Sequence, residues 1–116
     1  TRASDGIRQF AKNADVLIHE ALNSEIFFHV ADQMDIQGAA MSKERFPKIA
    51  AVHTSTLELA ELAKQTQVKH LIMTHLIPAL PHNWMANQFF TDGMDDIYQG
   101  KISVAQDGQW LDLAAQ

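Results

Sequence analysis

The chain has 116 residues, 47% of them hydrophobic, with no cysteine and a formal net charge of −5. This balance fits one globular domain with its own core and excludes a disulfide scaffold, a thiolate metal site and a disordered composition. The negative charge argues against gripping a phosphate backbone by bulk electrostatics, and no apolar stretch reaches membrane-spanning length. A cytoplasmic protein without a membrane partner is the expectation.

In chain order, Ser4 or Asp5 can cap a short helix whose apolar positions Ile7, Phe10, Ala11 and Ala14 recur at helical spacing. Val16-Leu17-Ile18 reads as a buried strand that delivers His19-Glu20 to its carboxyl end. Residues 22–52 are predicted helical. Ile26, Phe27, Val30, Ala31 and Met34 form one apolar face, Gly38 interrupts before Ala39-Ala40-Met41, and Ser42 can cap a second turn burying Phe46, Ile49, Ala50 and Val52. Pro47 is tolerated only in the first turn of that second helix.

Ser55-Thr56-Leu57-Glu58 has the capping-box pattern, with Leu59, Leu62 and Ala63 as the apolar stripe behind it. His53-Thr54 therefore stands just before a helix amino terminus, where free N–H groups attract anions. The apolar run Val68–Leu76 reads as a strand buried on both faces, with His75 just past its carboxyl end, where open α/β sheets bind ligands. Asn83 can cap a long helix with Met85, Ala86, Phe89, Phe90, Met94 and Ile97 as its core face, containing Gly93 and stopped by Gly100. Ile102–Ala105 and Trp110–Leu113, around Asp107-Gly108, predict a carboxyl-terminal β-hairpin.

Three segments thus carry polar groups toward one rim: His19-Glu20, His53-Thr54-Ser55 and Thr74-His75. A histidine beside a carboxylate suits proton transfer, because the carboxylate holds the tautomer and stabilises the charged ring. A histidine held on rigid backbone is also a good metal ligand. The plain alternatives stand beside these. His75 can be a core histidine bonded to a carbonyl, Glu20 can merely pair with a histidine or helix end, and Thr54 and Ser55 need nothing beyond capping. His29, His70 and His82 have no assignable partner in the sequence.

The order Ala14-Asp15-Val16-Leu17-Ile18-His19-Glu20-Ala21, then His53-Thr54-Ser55, then Leu71-Ile72-Met73-Thr74-His75-Leu76 resembles the carboxyl-terminal half of the metallo-β-lactamase superfamily, in its ribonuclease Z-like and arylsulfatase-like branch. The ending from Tyr98-Gln99-Gly100-Lys101 to Val104, then Asp107-Gly108, is similar too. The resemblance implies an α/β fold: half of an αββα sandwich, a mixed sheet with parallel central strands, helices packed on it and the terminal hairpin. It implies that His75 is the last metal-ligating histidine of a two-zinc centre, and that Glu20 and His53 are a proton-transfer pair beside a scissile phosphate. Thr54 and Ser55 would then border the substrate. Two departures weaken the ribonuclease assignment: Leu22 stands where the first motif has Thr, and the second motif reads His-Thr-Ser rather than His-Ser-Thr.

The family's His-x-His-x-Asp-His run, which supplies most zinc ligands, occurs nowhere in the sequence, and its next ligand histidine is also missing. Thr1-Arg2 opens the chain as though cut directly after the family's bridging Asp. Residues 1–116 are accordingly expected to be a single unit that is a segment of a larger metallo-hydrolase domain. Such a segment would hold zinc weakly or not at all and show no turnover by itself, and nucleic acid is an unlikely partner for it alone. The rival expectation is a non-catalytic, self-associating or partner-binding module. It would form a homo-oligomer over the face that otherwise meets the missing half, because soluble monomers rarely leave a large apolar patch open.

Overall fold

The computed structural model describes residues 1–36 and 44–113. Six helices and three strands alternate among the described residues: α1 (Asp5–Phe10), β1 (Val16–Leu22), α2 (Ser24–Ile36), α3 (Arg45–Ala50), α4 (Thr56–Thr66), β2 (His70–Ile77), α5 (Trp84–Phe90), α6 (Met94–Ile97) and β3 (Lys101–Val104). The sheet has the order β1-β2-β3, and both pairings are parallel. Among the described residues the sheet is therefore parallel throughout, where a mixed sheet was expected. Nor does the predicted hairpin form among the described residues: Gly108 makes its turn at φ +76°, but Trp110–Leu113 is not a strand and Trp110 is almost fully exposed.

Leu17, Leu71 and Ile102 lie side by side across the sheet, as do His19, Met73 and Val104. With Ala21 they form the face that packs on Leu59, Ala60, Leu62 and Ala63 of α4 and on Phe90, Met94 and Tyr98. A second cluster gathers Leu22, Phe27, Ala31 and Phe46, with the Phe27 and Phe46 rings 5.0 Å apart. The helix predicted from Ile26, Phe27, Val30 and Ala31 is thus present, and Pro47 stands in the first turn of α3. Glu44 occupies the N-cap position of α3. The Ser42 cap and the Gly38–Met41 interruption lie outside the described residues.

Local chemistry explains the element ends. Ser4 accepts from the Ile7 amide at the start of α1, and Asn83 accepts from the Ala86 amide at the start of α5. Ser55 and Glu58 form the reciprocal capping box of α4. Asn23 accepts from the Ile26 amide at the start of α2, while its side-chain nitrogen donates to the Phe90 carbonyl at 3.0 Å and ties α2 to the end of α5.

Helical spacing overpredicted burial in several places, Val30 and Val52 among them, both of which are exposed. Phe10 and, in α5, Met85 and Phe89 face solvent, whereas Phe90 and Met94 are fully enclosed. The single helix expected over these residues is broken. α5 ends at Phe90 with Thr91 as its C-cap, and Gly93 takes a left-handed conformation (φ +75°) as the N-cap of α6, so the two pieces turn independently onto the core.

Gly100 likewise has another role than a helix stop. The Tyr98 ring folds over it to donate its hydroxyl to the Val68 carbonyl at 2.7 Å, and a Cβ on Gly100 would fall inside that ring. Burial raises the Tyr98 hydroxyl above its ordinary pKa, so it remains a donor. Gly100→Ala is expected to destabilise the fold by roughly 1–3 kcal/mol through displacement of Tyr98. Urea unfolding checks this, and a change below about 0.5 kcal/mol would refute the packing.

Candidate active site

β1 runs further than Ile18. His19 and Glu20 lie inside the strand, and His75 lies inside β2 rather than past its end. The rim is nevertheless built there, because the parallel ladder slips. Glu20 pairs with Thr74, the next residue Ala21 pairs with Leu76, and His75 is left as the extra residue of a bulge at φ +46°. A bulge re-aims the side chain it inserts. His75 is exposed, and its ring stands 6.1 Å, centroid to centroid, from that of His53, tilted by 32°.

His53 arrives from the other direction. Leu22 bridges to Ser55 in parallel fashion, and the Leu22 amide donates to the Thr54 carbonyl at 2.9 Å. This fixes the turn before α4 against the end of β1. His53 Nδ1 then lies 3.0 Å from Glu20 Oε2, while the Thr54 amide donates to Glu20 Oε1 at 3.0 Å and the Thr1 amino group to the same oxygen at 2.7 Å. A carboxylate only accepts, so Nδ1 of His53 carries the proton and Nε2 carries the free lone pair of the neutral ring.

Burial pushes the Glu20 carboxyl up, but the hydrogen bonds from the Thr1 amino group, the Thr54 amide and His53 outweigh it. They hold the group below the ordinary carboxylate value of 4.5. A depressed folded-state pKa adds stability that is present above the unfolded value and lost as pH falls through the folded one. Glu20→Gln is therefore expected to flatten the loss of stability between neutral pH and about pH 3. Unfolding curves across that range test this, and an unchanged slope in the variant would count against the network.

The structure thus brings Glu20, His53 and His75 together. Thr54 is buried, with its amide on Glu20 and its hydroxyl donating to the Thr1 carbonyl. Ser55 is occupied by Glu58, which accepts from both its amide and its hydroxyl. His70 is buried with Nε2 2.8 Å from Ser103 Oγ, a contact made through the β2–β3 pairing that no local pattern announces. His82 lines a shallow cleft with His75, Ala105 and Asp107. His19, read from the sequence only as a neighbour of Glu20, is buried and places Nδ1 2.7 Å from the Glu20 carbonyl.

The zinc centre implied by the resemblance is not complete here. Among the described residues no three His, Cys, Asp or Glu side chains converge to hold a metal ion. Both Glu20 oxygens are already committed to His53, Thr54 and Thr1, which leaves only the Nε2 lone pair of His53 and the His75 ring of the trio, fewer donors than a metal centre needs. These residues by themselves do not fit a metal centre.

No protein-family model matches the sequence. The chain is 35% identical over 77 residues to "Ribonuclease BN" of Proteus mirabilis, a match covering 66% of this chain and 19% of that protein. It is 27% identical over 113 residues to "Ribonuclease Z" of Myxococcus xanthus, covering 97% of this chain and 30% of that one. It is 36% identical over 76 residues to "Ribonuclease Z" of Listeria monocytogenes, covering 66% and 19%. The chain therefore spans less than a third of the length of these curated relatives.

Among solved structures, the metallo-β-lactamase fold protein YhfI from Bacillus subtilis superposes with a TM-score of 0.58 at 22% identity, over 95% of this chain and 36% of that one. That likeness establishes the fold, and the fold implies metal use in its parent family. The chain has the metallo-β-lactamase fold, and its sequence is similar to that of ribonucleases Z and BN.

Proposed function

We propose that these 116 residues are the carboxyl-terminal segment of a nucleic acid hydrolase acting on phosphodiester bonds in the cytoplasm, and that they supply its proton-transfer pair. The carrying observation is the 3.0 Å contact between Glu20 Oε2 and His53 Nδ1, with the His75 ring beside it. Glu20 orients His53, and His53 Nε2 gives or takes the proton at the phosphate oxygen. His75 would contribute one imidazole to a zinc centre whose other ligands come from residues outside this sequence. When bound, zinc supplies a polarised water and neutralises phosphate charge.

Since the sequence holds no His-x-His-x-Asp-His run, the 116-residue chain is expected to show no zinc-dependent turnover of an RNA phosphodiester. Assaying the purified chain with added zinc tests this. Robust hydrolysis abolished by a chelator would overturn the proposal.

A second reading, from another class, is a non-catalytic module that pairs with a second copy of itself. Ile18 favours it: the residue lies in the middle of β1 opposite the helix-packed face and is 61% exposed. Covering Ile18 with a second copy would remove that apolar surface from water. Sedimentation should show a concentration-dependent dimer, and a monomer throughout the micromolar range would exclude it.

A further inference from the structure

We infer that His19 is a positioning residue, whose ring clamps the Glu20 carbonyl where the β1–β2 register breaks and so holds the Glu20 carboxylate beside His53 and His75. The first ground is chemical. A carbonyl can only accept, so the 2.7 Å contact requires the proton on His19 Nδ1. Nε2 of the neutral ring is then a bare lone pair, buried and without a hydrogen-bonding partner among the described residues. His19 is only 8% exposed and sits on the core face of the sheet, level with Met73 and Val104.

An unpaired nitrogen in such a place is unfavourable, and a leucine would fill the same volume without it. What the imidazole adds over leucine is the single N–H donated to Glu20. The second ground is where that bond falls. Glu20 pairs with Thr74, Ala21 pairs with Leu76, and His75 is expelled between them into a left-handed backbone conformation. A bulge disrupts the ladder locally, and a non-glycine residue held at positive φ persists only where its surroundings over-determine it. The His19 ring supplies a donor at that point from within the strand.

The chain carries Ile18 outward and His19 inward, so the same peptide that anchors His19 in the core presents the Glu20 side chain to the Thr54 amide and His53. The catalytic consequence rests on the function proposed above. The positioning itself does not, and its test is independent of any assay of hydrolysis.

The test uses the 116-residue chain and reads the Thr54 amide, which is protected by Glu20 Oε1. In His19→Leu, hydrogen exchange at Thr54 should become about tenfold faster or more, matching Glu20→Ala, while the amides of the β2 core keep their protection. His19→Asn, whose side-chain nitrogen can stand where Nδ1 stands, should restore it. A purely packing role predicts the reverse order, with leucine tolerated and asparagine not.

Nitrogen-detected NMR of the parent chain should show His19 as the Nδ1–H tautomer, which decides the matter even if His19→Leu does not fold. An Nε2–H tautomer, normal Thr54 protection in His19→Leu, or asparagine behaving like leucine would each overturn the inference. Normal positioning combined with an inactive assembled hydrolase would sink the proposed function and leave this one standing.

Discussion

Glu20→Ala is expected to lower kcat by about 10²–10⁴-fold, with KM changed only a few-fold, in a chimera that places this chain in the matching part of the Myxococcus xanthus relative. The expectation follows from the role proposed above for the carboxylate, which lies 3.0 Å from His53 Nδ1. It selects the tautomer with Nε2 free, fixes the plane of the ring and offsets the charge that forms when Nε2 takes a proton. Those effects act on the transition state far more than on the bound substrate, so they fall on kcat. His53→Ala should cost a similar factor, and the double variant should be little worse than either single one, since the two act as a unit. A Glu20→Ala chimera within about tenfold of its parent would remove the pair from the chemistry.

Phe90→Ala is expected to destabilise the chain by about 3–5 kcal/mol, much of the net stability of a domain this size. Phe90 is fully buried in the cluster with Leu59, Met73 and Met94, and its carbonyl anchors Asn23 at the start of α2. Its neighbour Phe89 is exposed and should tolerate alanine within about 0.5 kcal/mol. Urea denaturation followed by circular dichroism compares the two. Equal effects would mean that the α5 register on the core is wrong.

The contrast between these adjacent phenylalanines marks the limit of periodicity as a guide. Met85, Phe89, Phe90 and Met94 fit one helical stripe, but the stripe presumes an unbroken helix. Gly93 at φ +75° ends that presumption and rotates Met94 onto the core separately from α5. The hairpin failed for a similar reason. Asp107-Gly108 does turn the chain, but a turn creates a strand pair only if the second arm runs along the first, and Trp110–Leu113 does not extend along the outer edge of β3.

What the sequence determined by itself were the features whose causes are local. These include the capping box at Ser55 and Glu58, the caps at Ser4 and Asn83, the buried stripe of α4 and the apolar runs of β1 and β2. Each depends on side chains within a turn or two of one another, so spacing suffices to find it.

Only the tertiary structure decided how the rim is assembled. The one-residue slip at Glu20 and Ala21, the expulsion of His75 to positive φ and the seating of His53 through the Leu22–Ser55 bridge all arise between strands and loops far apart in the chain. Register is a property of a pair of strands, set by which faces each can bury, and no single strand carries it in its own residues.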